Sequence, residues 1–107
     1  MRRLFICFVV VAGVAPDAVL AEGSAVQGHE MAVRLCSRCH AISGEGPSPV
    51  AAAPAFAALG RLYPVDYLAE ALAEGIVTGH GPIMMPEFVF EPEEIDDLIA
   101  YLESVQE

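Results

Sequence analysis

Cys36-Ser37-Arg38-Cys39-His40 constrains this chain more than any other stretch. Two cysteines separated by two residues, with a histidine directly after the second, form the attachment pattern of a c-type haem. The chemistry accounts for the spacing. Each thiol adds across one porphyrin vinyl group, and two intervening residues let both sulfurs reach one edge of the ring. The next residue is then carried under the iron, where the His40 imidazole serves as proximal ligand. Two other chemistries use such a cysteine pair. A structural zinc site needs a second pair of ligands at comparable spacing, and downstream stands only a lone His80. A redox Cys-x-x-Cys belongs beside a βαβ pattern, and no strand run appears here.

The chain opens with Met1-Arg2-Arg3, an apolar stretch from Leu4 to Ala15, and Val19-Leu20-Ala21. These are the three parts of a secretory signal: a positive start, a short apolar centre, and small residues before a cut. The centre is too short to span a bilayer, which needs about 20 residues. Residues 1–21 are therefore expected to be a cleaved signal peptide, and residues 22–107 one exported domain, not membrane-spanning after cleavage. Leu4-Phe5-Ile6-Cys7 resembles a lipoprotein box only faintly, since bulky Ile6 precedes the cysteine and no apolar run lies upstream. Cys7 leaves with the signal. Cys36 and Cys39 are then the only thiols, both consumed by thioethers, and no disulfide framework remains. So short a domain, rich in Gly, Pro and Ala, has few large side chains and leans on a bound cofactor for its core. The haem-free chain is expected to be largely unfolded.

In residues 22–107, Arg34, Arg38 and Arg61 stand against fourteen Asp and Glu, a formal net charge of −11. Nucleic acid is excluded as a partner, because a polyanion needs a basic face. The acidity serves solubility, or steers the protein toward a partner with a basic patch.

Between these landmarks the pattern is helical. Ser24 is a plausible N-cap for a helix reaching Leu35, with Met31 and Leu35 on one face. Gly28 interrupts it, either as a tolerated glycine or as a place of close backbone approach to the C-terminal helix. His29 reads as a solvated helix residue. Gly44-Glu45-Gly46-Pro47-Ser48-Pro49 excludes regular structure. Ala55 to Gly60 predicts a helical turn ending at Gly60, with Phe56 and Leu59 inward. Pro64 to Glu74 predicts a second helix, stopped by Gly75. Ile76 to Pro86 is an apolar, non-helical loop that makes sense as a cover. A thioether in it is a suitable sixth ligand to haem iron. Met84 and Met85 compete for that role, because neighbours in an extended segment point to opposite faces, and His80 is a rival by residue type. The last helix has Pro92 at N1 and Glu93, Glu94, Asp96 and Asp97 at its positive end. Its buried face is Ile95, Leu98, Ile99 and Leu102 beside Tyr101, and its acid run reads as a solvated face or part of a docking surface.

Together these pieces resemble the class I monohaem cytochromes c, above all the small soluble periplasmic ones of bacteria, over residues 24–106. Cys36-Ser37-Arg38-Cys39-His40 resembles that family's haem motif. Gly28 is similar to the glycine where its first helix crosses its last, and Asp97-Leu98-Ile99-Ala100-Tyr101-Leu102 to its terminal helix. Met85-Pro86-Glu87-Phe88 resembles the axial-methionine segment and so favours Met85. Ala53-Pro54-Ala55-Phe56 resembles the loop whose proline carbonyl accepts the Nδ1 proton of the proximal histidine, which orients the ring and raises its basicity. Ala32 departs from the pattern, since many relatives carry an aromatic there, and this implies a looser helix crossing. The resemblance implies an all-α fold, helices and loops wrapped around one covalently attached haem c, with one haem edge exposed. Arg38 would lie near that edge, and Arg61 would face a propionate or plain solvent. It further implies a periplasmic, monomeric one-electron carrier with no enzymatic activity. Its partners would be a donor dehydrogenase or bc-type complex and an acceptor oxidase or reductase. A dedicated electron-accepting subunit of one dehydrogenase, or a gas-binding haem sensor, are the other readings. The mature protein should keep its haem through denaturing electrophoresis and acid–organic extraction; haem that extracts freely would refute thioether attachment.

Overall fold

A computed structural model describes residues 9–13, 23–44, 46–75, 79–80 and 83–106. Most of the expected signal segment, Cys7 included, lies outside the described residues. So do residues 45, 76–78, 81–82 and 107, and the side chains of His80 and Ile83. The architecture is all-α: α1 (Ala25–Leu35), a 3-10 helix (Phe56–Arg61), a 3-10 turn (Val65–Tyr67), α2 (Leu68–Glu74) and α3 (Pro92–Ser104). Where a loop was expected, β1 (Gly79–His80) and β2 (Ile83–Met84) form a two-residue antiparallel ladder, with Gly79 opposite Met84 and His80 opposite Ile83. Among the described residues no helix is long and apolar enough to cross a membrane.

Each helix starts where its chemistry allows. Ser24 caps α1, its hydroxyl accepting from the Gln27 N–H at 3.2 Å. Pro92 occupies the first turn of α3, and Glu91 precedes it as N-cap in a reciprocal box with Glu94, whose side chain accepts from the Glu91 N–H at 2.9 Å. That box satisfies two amides which otherwise have no intrahelical partner. Gly75, at φ +84°, stops α2 in a conformation that an L side chain resists. Two boundaries differ from the sequence reading. The 3-10 helix runs through Gly60 to Arg61, and the segment after Pro64 opens as a 3-10 turn before α2 begins at Leu68. Pro64 offers no N–H, and it precedes a turn that tightens before relaxing to α geometry.

The core lies between α1 and α3, with the 3-10 helix and α2 packed around them. Met31, Ala32, Phe56, Leu59, Val65, Leu72, Ile95, Leu98, Tyr101 and Leu102 are all buried. Gly28 stands where α1 meets α3. A Cβ built there would overlap the Asp97 carbonyl oxygen and approach the Tyr101 Cβ at 2.7 Å. Gly23, just ahead of α1, lies equally close to the Asp96 backbone. Ala32, one turn beyond Gly28, has 0% of its surface exposed. The absent aromatic therefore does not loosen the crossing: two small residues four apart let the helices meet backbone to backbone. Asp97 is no idle member of the acid run either, because its Oδ1 accepts from the Ser24 N–H at 2.7 Å and ties the start of α1 to α3.

Gly28→Ala separates the two readings of this glycine by sign. A tolerated glycine would gain about 1 kcal/mol from alanine's helix propensity. The crossing predicts a loss of about 1–3 kcal/mol, as for other overpacked sites, measured by denaturant unfolding of the haem-loaded protein.

Candidate functional site

Helix α1 runs directly into the cysteine motif. The Cys36 and Ser37 N–H groups donate to the Ala32 carbonyl at 2.9 and 3.0 Å, and the Cys39 and His40 N–H groups donate to the Cys36 carbonyl at 3.1 and 2.9 Å. The backbone thus coils through one further helix-like turn. In such a turn residues at i, i+3 and i+4 share a face, and Cys36, Cys39 and His40 all line one cavity. Both thiols are free and half-buried. Burial, with a smaller contribution from Cys39, pushes the Cys36 thiol up to about 11, so it stays protonated at neutral pH.

The His40 imidazole is held on two sides. Its Nδ1 donates to the Pro54 carbonyl at 2.7 Å. A carbonyl can only accept, so the proton sits on Nδ1 and the lone pair on Nε2. The Phe56 ring leans against the imidazole, with centroids 5.2 Å apart at 45°. The loop between these groups is tied down as well. The Phe56 N–H donates to the Ala41 carbonyl at 2.9 Å, the Val50 N–H to the Cys39 carbonyl at 3.1 Å, and the Ala41 N–H to the Ser48 hydroxyl at 2.9 Å.

The cavity holds about 360 Å³, within the usual range for cofactor sites. Every helix contributes apolar lining: Leu35 from α1, Phe56 and Leu59 from the 3-10 helix, Leu68 and Leu72 from α2, Leu98 and Leu102 from α3. Further lining comes from Val50, Ala53 and Pro54, and from Met84, Met85 and Pro86, followed by Phe88 and Phe90, whose rings lie 5.7 Å apart. Among the described residues no Asp, Glu, Lys or Arg lines the cavity. Arg38 and Arg61 are exposed and line no part of it.

Both methionines border the cavity, although strict alternation would put only one there. Strand β2 ends at Met84, so the two-residue period does not extend to Met85. Met84 is 57% exposed and Met85 half-buried. The His80 backbone pairs in the ladder, and its side chain lies outside the described residues. Leu62 and Tyr63 also border the cavity while 61% and 41% exposed, which puts them at its mouth. They carry no motif, and their position between two helical segments was the only signal in the sequence.

The residues present fit a haem. Two thiols, an imidazole with a free Nε2 and soft thioethers share one apolar, charge-free cavity, a donor set suited to haem iron. Among the described residues no three His, Cys, Asp or Glu side chains gather in a way that could hold a metal ion by themselves. The chain matches the family model for cytochrome c over residues 25–106. Neither the curated proteins nor the solved structures include a match.

The loop after His40 hangs from α3 through one hydroxyl: Tyr101 Oη donates to the Ile42 carbonyl at 2.6 Å. Burial raises the Tyr101 pKa above its ordinary value near 10. Tyr101→Phe should cost about 0.5–1.5 kcal/mol at neutral pH, the net worth of one hydrogen bond, because the Ile42 acceptor is only part-buried. A raised folded-state pKa means this stabilisation is complete below pH ~10 and declines as alkali ionises the unfolded phenol first. The gap in unfolding free energy between wild type and variant should therefore narrow above pH ~10.

Proposed function

The chain belongs to the cytochrome c family, whose covalent c-type haem and electron transfer it shares, and from that premise we propose that it is a periplasmic one-electron carrier. The observation that carries this reading is one cavity, bordered by no charged side chain among the described residues, that meets both the cysteine–histidine motif and the Met84–Met85–Pro86 segment. Haem supplies a reversible couple between ferric and ferrous iron. The chain's own residues do the rest. Cys36 and Cys39 would form the thioethers, and His40 Nε2 and the Met85 thioether would hold the iron. Pro54 fixes the imidazole's tautomer through its carbonyl and raises its basicity. The apolar lining would keep water from the metal, and with His40 and Met85 both holding it no substrate would be turned over. Leu62, Tyr63 and Met84 form the apolar surface that a redox partner meets at the mouth. The partners are a donor dehydrogenase or bc-type complex and a terminal oxidase or reductase. Residues 1–21 are a signal peptide that exports the domain 22–107.

Met85→Ala should abolish the weak near-red absorption of a ferric haem–thioether pair and lower the reduction potential, whereas Met84→Ala should keep the band. The opposite pattern would make Met84 the ligand, and loss of the ligand in His80→Ala alone would mean a bis-histidine site.

Net charge −11 should make association with a basic partner fast at low salt, with a steep decline as salt shortens the Debye length toward about 8 Å. Glu93 and Asp96 are exposed, whereas Glu94 belongs to the capping box of α3 and Asp97 holds Ser24. Glu93→Gln with Asp96→Asn should lower the second-order electron-transfer rate modestly and leave the potential nearly unchanged. A rate indifferent to salt would mean apolar docking alone.

A further inference from the structure

The segment that brings the Pro54 carbonyl and the Phe56 ring to His40 is itself held from outside by one side chain. Gln106, just beyond α3, accepts from the Gly60 N–H through Oε1 at 2.6 Å. Its Nε2 donates to the Phe56 and Leu102 carbonyls at 2.7 Å each. These partners admit one amide orientation, since Gly60 offers a donor and the two carbonyls offer only acceptors. The arrangement answers a local weakness. Helices of 3-10 type rarely exceed three or four residues because their hydrogen bonds are poorly aligned, yet Phe56–Arg61 has six. Gln106 braces this helix at Phe56 and at Gly60, and by its Leu102 bond anchors it to α3.

The brace leads to the imidazole. Phe56 is bonded through its carbonyl to Gln106, through its N–H to the carbonyl of Ala41 next to His40, and through its ring to the His40 ring. Pro54, two residues earlier, holds Nδ1. We propose that Gln106 is a positioning residue for His40: by docking the Phe56–Arg61 helix on α3, its amide sets the imidazole's orientation and the strength of its bond to the Pro54 carbonyl. The inference rests on the reading of His40 as proximal haem ligand. A strong bond from Nδ1 makes the imidazole a better donor and favours ferric iron, and a slackened bond shifts the potential upward.

The test uses the haem-loaded protein with Gln106→Leu, which keeps bulk but no hydrogen bonds, and Gln106→Ala. Both variants are neutral, so neither adds a charge that would move the potential by itself. Expected are an upward shift in reduction potential and faster solvent exchange of the His40 Nδ1 proton by NMR, with Cys36 and Cys39 still bound to haem. A lower thermal midpoint with potential and Nδ1 exchange unchanged would overturn the proposal, leaving Gln106 a staple of the chain terminus. Should both variants fail to fold, Gly60→Ala decides, because its Cβ would press on Gln106 Oε1 from 2.8 Å. It should produce a smaller shift in the same direction, and no shift overturns the proposal. Failure of the underlying reading looks different: haem that extracts freely, or a native spectrum that survives His40→Ala.

Discussion

Backbone contact between α1 and α3 at Gly28 is the constraint on which the rest of the molecule depends. Helix α1 delivers the cysteine motif from its C-terminal end, and α3 supplies Leu98 and Leu102 to the cavity. Their relative position therefore decides whether the motif borders a cavity at all. Helices usually pack 8–10 Å apart, the distance depending on the side chains between them. Here Gly28 and Ala32 remove those side chains from α1. Close approach leaves less room for slack, and it is reinforced at one end by Ser24 on Asp97 and along its length by Tyr101, packed beside Gly28.

A second organising fact is the separation of charge from cavity. The domain carries many carboxylates, yet among the described residues none lines the site, because an unpaired carboxylate in so apolar a place would bear a large desolvation cost. The acids instead occupy solvent-facing positions, and two of them act on helix ends: Glu94 in the capping box of α3 and Asp97 at the start of α1. The same residues thus contribute to fold stability and to the long-range field. On the reading of the chain as a carrier, field and site can be adjusted separately, since screened surface charge governs encounter and the dry lining governs the metal's surroundings.

On that same reading, the imidazole of His40 shows how much of a metal site lies outside its ligands. Its proton position follows from a proline that can only accept. Its ring meets Phe56, and both neighbours belong to a segment tied to the opposite end of the chain through Gln106. Tyr101 performs a similar service for the loop at Ile42. Short, irregular segments cannot satisfy their own backbone groups, so long side chains from α3 and the residues just beyond it do it for them.

What the sequence determined by itself was local. Spacing named the Cys36, Cys39 and His40 attachment pattern, Ser24 and Pro92 marked helix starts, Gly75 marked an end, and the period of Ile95, Leu98, Ile99 and Leu102 named a buried face, of which Ile99 is only half-buried. Each of these follows from neighbours within about four residues, where geometry is set by the backbone's own repeat. The tertiary structure decided what depends on residues far apart in the chain. Whether Gly28 was a tolerated interruption or a contact could not be read without α3 against it. The Ala32 departure suggested slackness, and the fold turned it into close packing. Asp97 read as solvated because its partner, the Ser24 amide, lies 73 positions away. Met84 and Met85 resisted separation because alternation needs a continued strand, and β2 stops between them. Gln106 carried no signal at all, since an amide near a chain end acquires a role only when folding brings unpaired backbone groups to it.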